Sequence, residues 1–215
     1  KNASEAGASA LMAIPPALTS CSETDIINYY RELIKKNDVP VIIQDASGYL
    51  GNAMSIALQA GLYHEFPDRV MFKPEARPFG PTVAELRKAT GPDAAIFEGA
   101  GGIAIMETYP KGITGTMPGA DMPWALVRLW NALESNDLDA ARKIHDPLCV
   151  LISMVTDLDG FLSFEKLFLK QQGIFKNTLV RGPRSRSAKM FQPEDFLINF
   201  DRIVEACGQE MDSLK

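Results

Sequence analysis

Apolar runs recur through the first half of the chain, at 8–14, 41–44, 69–73, 94–97 and 112–116. The first four are bounded by Gly, Pro or a charged residue, the fifth follows Lys111, and all have the length of a buried strand rather than a helix. Between them the apolar positions change period. After Ser22–Asp25, residues Ile26, Ile27, Tyr30, Leu33 and Ile34 recur at helical spacing, and Ser22 with Asp25 reads as a helix cap. Met54, Ile56, Ala57 and Leu58 predict a second helix, ending at Gly61. A third is predicted over Val83–Thr90, and a short one runs to about Thr108 after a glycine-rich turn at 98–102. A short helix is also expected at the start, Lys1–Ala6.

Beyond Thr116 the strand pattern stops. Asp121–Glu134, Asp137–Thr156, Gly160–Gln171 and Pro193–Cys207 all read as helices, and Val180–Met190 as a basic, turn-like connection. Strands that alternate with helices imply βα units and a parallel sheet covered on both faces. Two architectures fit: an open doubly wound sheet and part of a (β/α)₈ barrel. A barrel needs eight strands, so the expectation is an α/β fold: an incomplete (β/α)₈ TIM barrel of about five units with extra C-terminal helices. The predicted division is 1–134 for the barrel portion and 135–215 for the helical extension. Because the chain opens on Lys1 within a helical pattern, the reading expects further barrel units upstream.

Composition narrows the function. With 22 Lys+Arg against 27 Asp+Glu, the formal charge is −5, which argues against a nucleic-acid or anionic-membrane surface. The 3 cysteines, Cys21, Cys149 and Cys207, are too scattered for a disulfide framework or zinc cluster. The 2 histidines, His64 and His145, leave little material for a His-based metal site or a Ser-His-Asp triad. The expectations are a cytoplasmic protein, a small-molecule substrate, and no nucleic-acid or membrane partner.

In parallel α/β folds, ligands bind at the carboxyl ends of strands. Lys73 ends an apolar strand and precedes Pro74, with Glu75 two residues on. A lysine held away from water favours its neutral amine, the form that attacks a carbonyl. In an extended chain, positions i and i+2 share a face, so Lys73 and Glu75 could project together as a nucleophile and a general acid/base. Spacing alone fits the plainer alternative better: a strand-end lysine reaching solvent and a Glu75–Arg77 pair. Gly99–Ala104 fits a loose G-x-G-x-x-A dinucleotide pattern, but the next strand begins too soon for a βαβ unit. A tight turn where backbone approaches a ligand is the better reading. Gln44 and Asp45 read as capping groups for the turn after them, Asp121 as a helix cap, and His145 as structural. Trp124 and Trp130 read as core, and 181–189 as a solvated basic loop.

Taken together, Gly7–Pro16, Val39–Asp45, Val70–Ala76, Ile96–Gly99 and Gly112–Thr116 resemble the dihydrodipicolinate synthase/N-acetylneuraminate lyase family of class I, Schiff-base (β/α)₈ enzymes. The similarity runs from near residue 1 to the final helices and covers what would be strands four to eight of the barrel. The resemblance implies that Lys73 forms the imine and that no other cofactor is needed. It also implies a 2-keto acid substrate and a homo-oligomer. The family's substrate-holding paired threonines would lie on an earlier strand that this chain lacks. The family's strand-end tyrosine, a proton relay in aldol chemistry, aligns with Gln44, and Pro74 separates the lysine from its acid. A Lys-x-Glu arrangement without that tyrosine resembles the L-2-keto-3-deoxyarabonate dehydratase branch, which implies a catalytic Glu75. Gln44, Glu98, Gly99 and Thr114 are then candidate pocket residues. A retro-aldolase, and a 2-keto acid binding relative without turnover, remain as alternatives.

Overall fold

The computed structural model describes residues 2–17, 19–155, 157–182 and 193–208. They fall into two compact units: 1–100 with 104–117, and 101–103 with 118–215.

The first unit opens with α1 (Asn2–Glu5) and then alternates strand and helix: β1 (Leu11–Ala13), α2 (Glu23–Lys35), β2 (Val41–Asp45), α3 (Ile56–Glu65), β3 (Val70–Pro74) and α4 (Phe79–Thr90). It closes with β4 (Phe97–Glu98), α5 (Ile105–Thr108), a 3-10 turn (Tyr109–Lys111) and β5 (Gly115–Thr116). All strand pairs are parallel. β1, β2 and β3 lie side by side; a bridge from Phe72 to Ile96 brings the β4 segment against β3, and β5 pairs with β4. Spatial order therefore follows chain order, with no reversal. A doubly wound sheet binds its ligand where strand order reverses, and this sheet has no such point. Sequential parallel strands backed by helices are the arrangement of a (β/α)₈ barrel, here incomplete.

Burial explains the elements. Val41, Ile43, Phe72 and Ile96 are wholly covered, as parallel strands with both faces packed require. α2 is started by the Ser22–Asp25 capping box and buries Ile26, Tyr30 and Ile34. The Tyr30 hydroxyl, buried with its ring, donates to the Ala13 carbonyl at 2.9 Å, so α2 is fastened to β1 by a satisfied polar group. At the opposite strand ends, the Arg87 guanidinium donates to the carbonyls of Gly91, Pro92, Ala94 and Gly112 and ties α4 to the approaches of β4 and β5.

Several boundaries differ from the sequence reading. α3 runs through Gly61 to Glu65, because Leu62 and Tyr63 beyond the glycine are buried and their packing outweighs its weak helix preference. α4 begins at Phe79, four residues before the predicted start. Pro81 falls in its first turn, where no intrahelical N–H bond is lost. β1 and β5 are shorter than their apolar runs; Gly112, at φ 83°, is still turning the chain toward β5.

The second unit contains α6 (Pro123–Glu134), α7 (Leu138–Ser153), α8 (Leu158–Gln171) and α9 (Pro193–Ala206). Its core is aromatic: Phe164, Phe168, Phe196 and Phe200 form edge-on and stacked pairs with centroids 4.6–6.0 Å apart. Gln172 joins the end of α8 to the start of α6, accepting from Trp124 Nε1 at 3.0 Å and donating to the Asp121 carbonyl at 2.6 Å. His145 is structural here, bonded through Nε2 to the Ile103 carbonyl at 3.0 Å. From residue 183 on, the basic stretch 181–189 lies outside the described residues. Among the described residues no helix is long and apolar enough to cross a membrane.

Asp121 does not cap α6: the cap position is Met122, without a side-chain cap bond, and Asp121 lies one residue before it, buried. Burial pushes its carboxyl up to about 6, and the charge of Glu165 acts the same way against backbone N–H groups of Asp121 and Met122. A carboxyl that holds its proton more tightly folded than unfolded stabilises most below the unfolded value near 4 and loses that contribution as pH rises through about 6. Asp121→Asn should therefore raise thermal stability at pH 7.5 by the equivalent of about 3 kcal/mol, and the gain should shrink toward pH 4. Melting curves at the two pH values check this; a gain independent of pH would show that the carboxylate is not the cause.

Candidate active site

The site is assembled from three neighbouring strands of the first unit. Register places Gln44 beside Lys73 and Asp45 beside Pro74. Pro74 ends the β3 ladder, and the Glu75 N–H then bonds the Asp45 carbonyl at 2.9 Å, keeping the chain extended past the proline. That geometry points Lys73 and Glu75 the same way. Lys73 Nζ lies 2.8 Å from Glu75 Oε1, with the two side chains only 10% and 6% exposed. The pairing of Glu75 with Arg77 does not form; the Arg77 guanidinium stacks over the Phe79 ring at 4.9 Å.

Glu75 Oε2 is also occupied. It accepts from Gln44 Nε2 at 2.9 Å and from the Tyr49 hydroxyl. Gln44 is thus a partner of Glu75, whereas Asp45 does cap the following turn, accepting from Ser47 N at 3.1 Å. Burial raises the Tyr49 phenol above its ordinary range, and the hydrogen bond to Glu75 and the charge of that carboxylate add to the effect against a smaller opposing influence of Gln44. The phenol is held as a neutral donor.

Gly99, just past β4, faces this pair. A Cβ at this position would stand 2.5 Å from Glu75 Cγ and 2.8 Å from Lys73 Cε, so only glycine leaves room for both side chains. The turn is fixed from behind. Glu98, 2% exposed, accepts from Ala100 N at 2.9 Å through Oε1 and from Thr116 Oγ1 at 2.6 Å through Oε2. Thr114 lies apart from this group: exposed, its Oγ1 accepts from Ile96 N at 3.3 Å within the β4–β5 framework.

The structure therefore gathers Lys73, Glu75, Gln44 and Gly99, with Glu98 as a brace behind the turn. Sequence reasoning missed Tyr49 and Thr116. Thr116 ends its strand and was within reach of the strand-end rule. Tyr49 sits between Gly48 and Gly51 in a loop, and only the fold returns it to the strand ends.

Family-level comparison agrees with this architecture. The model of the dihydrodipicolinate synthetase family matches residues 1–194. The chain belongs to that family. Curated relatives include the 4-hydroxy-tetrahydrodipicolinate synthase of Chlorobium luteolum, 28% identical over 147 residues, covering 67% of this chain and 49% of the relative. The corresponding synthase of Bifidobacterium longum is 24% identical over 183 residues, covering 83% and 58%. The chain thus spans about half the length of the curated relatives it matches. Among solved structures, the 4-hydroxy-tetrahydrodipicolinate synthase of Methylacidiphilum fumariolicum SolV superposes with TM-score 0.78 at 16% identity, covering 99% of this chain and 69% of that one. A catalytic lysine mutant of Ruminococcus gnavus sialic acid aldolase gives 0.72 at 20% identity, covering 96% and 67%. At these identities the structural matches establish the shared dihydrodipicolinate synthetase-family fold.

Proposed function

We propose that the protein is an imine-forming lyase of 2-keto acids, with Lys73 as nucleophile and Glu75 as acid/base. More narrowly, we propose a dehydratase of 2-keto-3-deoxy sugar acids, of the L-2-keto-3-deoxyarabonate type. The observation that carries the reading is the 2.8 Å Lys73–Glu75 pair, buried at the carboxyl end of a parallel strand. A buried ion pair adds little net stability, since desolvation offsets the attraction between the charges. Its value here is chemical.

Lys73 gives up a proton to solvent and its free amine adds to the C2 ketone. A proton from solvent returns as the carbinolamine loses water, leaving a protonated imine. The imine acidifies C3, Glu75 removes a C3 proton, and the resulting enamine expels the C4 hydroxyl as water with that proton returned by Glu75. Hydrolysis of the imine frees the dehydrated 2-keto acid and restores Lys73. No separate cofactor enters this scheme, and Gln44 and Gly99 line the reacting centre. The partner is a small 2-keto acid, and the protein is proposed to work in the cytoplasm as a homo-oligomer.

A retro-aldolase is the second reading. The curated relatives are synthases, one structural neighbour is an aldolase, and the Tyr49 phenol beside Glu75 weakens the argument against aldol chemistry drawn from Gln44. Product analysis separates the two: pyruvate release marks carbon–carbon cleavage, and a dehydrated acid of unchanged carbon number marks a dehydratase.

Borohydride reduction of the native protein with pyruvate, followed by peptide mapping, tests the common core. The expected result is an adduct on Lys73. Saturable 2-keto acid binding without an adduct would overturn the imine reading and leave a binding protein.

A further inference from the structure

The loop from 46 to 51 is folded toward the catalytic pair by its own hydrogen bonds. Asp45, 5% exposed, accepts from Ser47 N through its side chain, and the N–H groups of Tyr49 and Leu50 both turn back to the Ala46 carbonyl, at 2.9 and 2.7 Å. Gly48 passes over the Glu75 backbone, where a Cβ would lie 3.6 Å from the Glu75 carbonyl oxygen. Gly51, at φ 86°, ends the turn in a conformation that favours glycine. The product of this folding is one contact, from the Tyr49 hydroxyl to Glu75 Oε2.

A tyrosine that is 59% exposed has water available as an alternative partner. Its hydroxyl is instead placed on a carboxylate whose side chain is 6% exposed and whose other oxygen already holds Lys73. Gln44 Nε2 reaches both ends of the contact, at 2.9 Å to Glu75 Oε2 and 3.2 Å to the Tyr49 oxygen. Two donors on Oε2 and one on Oε1 leave the carboxylate a single orientation.

We infer that Tyr49 is a positioning residue of this site, whose phenol, with Gln44, fixes Glu75 so that Oε1 stays directed at Lys73 and at the carbon next to its imine. The inference rests on the imine reading above. It assigns a function to a residue outside the strands, and it acts through Glu75. The supporting electrostatics run the same way: the hydrogen bond to Glu75 and its charge both help keep the phenol protonated and therefore a donor.

The test uses pyruvate with the native protein. In the Lys73 imine of pyruvate, Glu75 breaks a C3–H bond and takes the proton. The electron pair forms the C2=C3 bond of the enamine and neutralises the nitrogen. Reversal in deuterium oxide returns a deuteron, so loss of the pyruvate methyl signal in proton NMR measures Glu75 as a base, and borohydride trapping measures Lys73 separately. Tyr49→Phe removes one oxygen from an exposed position. It should leave trapping at the parent level and slow exchange by roughly tenfold, the scale of one charge-assisted hydrogen bond. Exchange within about twofold of the parent, with trapping intact, would overturn the inference.

A second readout needs no activity. In protein carrying 3-fluorotyrosine, the fluorine resonance of residue 49, assigned by its loss in Tyr49→Phe, should titrate at lower pH in Glu75→Gln than in the parent. An identical titration would show that the Tyr49–Glu75 contact is absent in solution. If the parent itself gives no Lys73 adduct, the imine reading fails, and the titration alone decides whether Tyr49 positions Glu75.

Discussion

Glu75→Gln leaves the Lys73 imine trappable by borohydride while turnover of the true substrate falls about 10²–10⁴-fold, the usual contribution of one general acid/base. The substitution preserves shape. The glutamine oxygen still accepts a hydrogen bond, so packing against Gly99 survives. What disappears is the ability to receive a proton from C3. The nucleophile remains, because the substitution leaves Lys73 itself in place and imine formation exchanges its protons with water. The two measurements should therefore part: adduct formation by mass spectrometry close to the parent, and product formation or pyruvate methyl exchange nearly lost. Equal loss of both would mean that Glu75 holds the lysine in place and does no proton chemistry.

Gly99→Val eliminates both signals. A Cβ at residue 99 falls 2.5–2.8 Å from atoms of Glu75 and Lys73, closer than side-chain carbons approach in folded proteins, and two further methyl groups enlarge the conflict. The neighbours do not yield freely, because Lys73 Nζ is paired with Glu75 Oε1 and Glu75 is held in turn by Gln44 and Tyr49. Displacing a reacting group by about 1 Å costs on the order of 10²-fold, and here nucleophile and base move together, so turnover should drop by more than that. Gly99→Ala should fall between the parent and Gly99→Val. Trapping yields across the three proteins, with melting temperatures to confirm folding, give the check. A Gly99→Val protein that traps pyruvate like the parent would place the reacting lysine elsewhere.

Much of this site was legible along the chain because its principal members follow strand rules. Lys73 and Glu75 are two positions apart at a strand end, and period two puts them together once the chain stays extended through Pro74. Gln44 could be found as a strand-end residue at the position where the resemblance places the family's tyrosine, and the parallel register then sets it beside Lys73. The choice between a solvated Glu75–Arg77 pair and a buried Lys73–Glu75 pair was not legible, since it turns on burial by neighbouring strands. Tyr49 was invisible for a different reason. Loop 46–51 reaches the site by bending back, and no periodicity records that. The fold followed the same division: alternating apolar and helical periods gave the βα order, while the sequential strand order that excludes a doubly wound sheet required the structure. The continuation of α3 through Gly61 is a case where burial of Leu62 and Tyr63 overrides a local stop signal.

The loop that carries Tyr49 also bears on how such a site can diversify. Lys73, Gln44 and Gly99 are bound to the register of adjacent strands, so inserting or deleting a residue in any of those strands shifts its side chains to the opposite face. The phenol is under no such restriction. A change of length or sequence between Ala46 and Gly51 can withdraw it, replace it or move it along the bound molecule while the strand pairing stays as it is. Lys73 and Glu75 are thereby set by the strand scaffold, while the hydroxyl that orients Glu75 is carried by a loop whose length and sequence the strand pairing does not constrain.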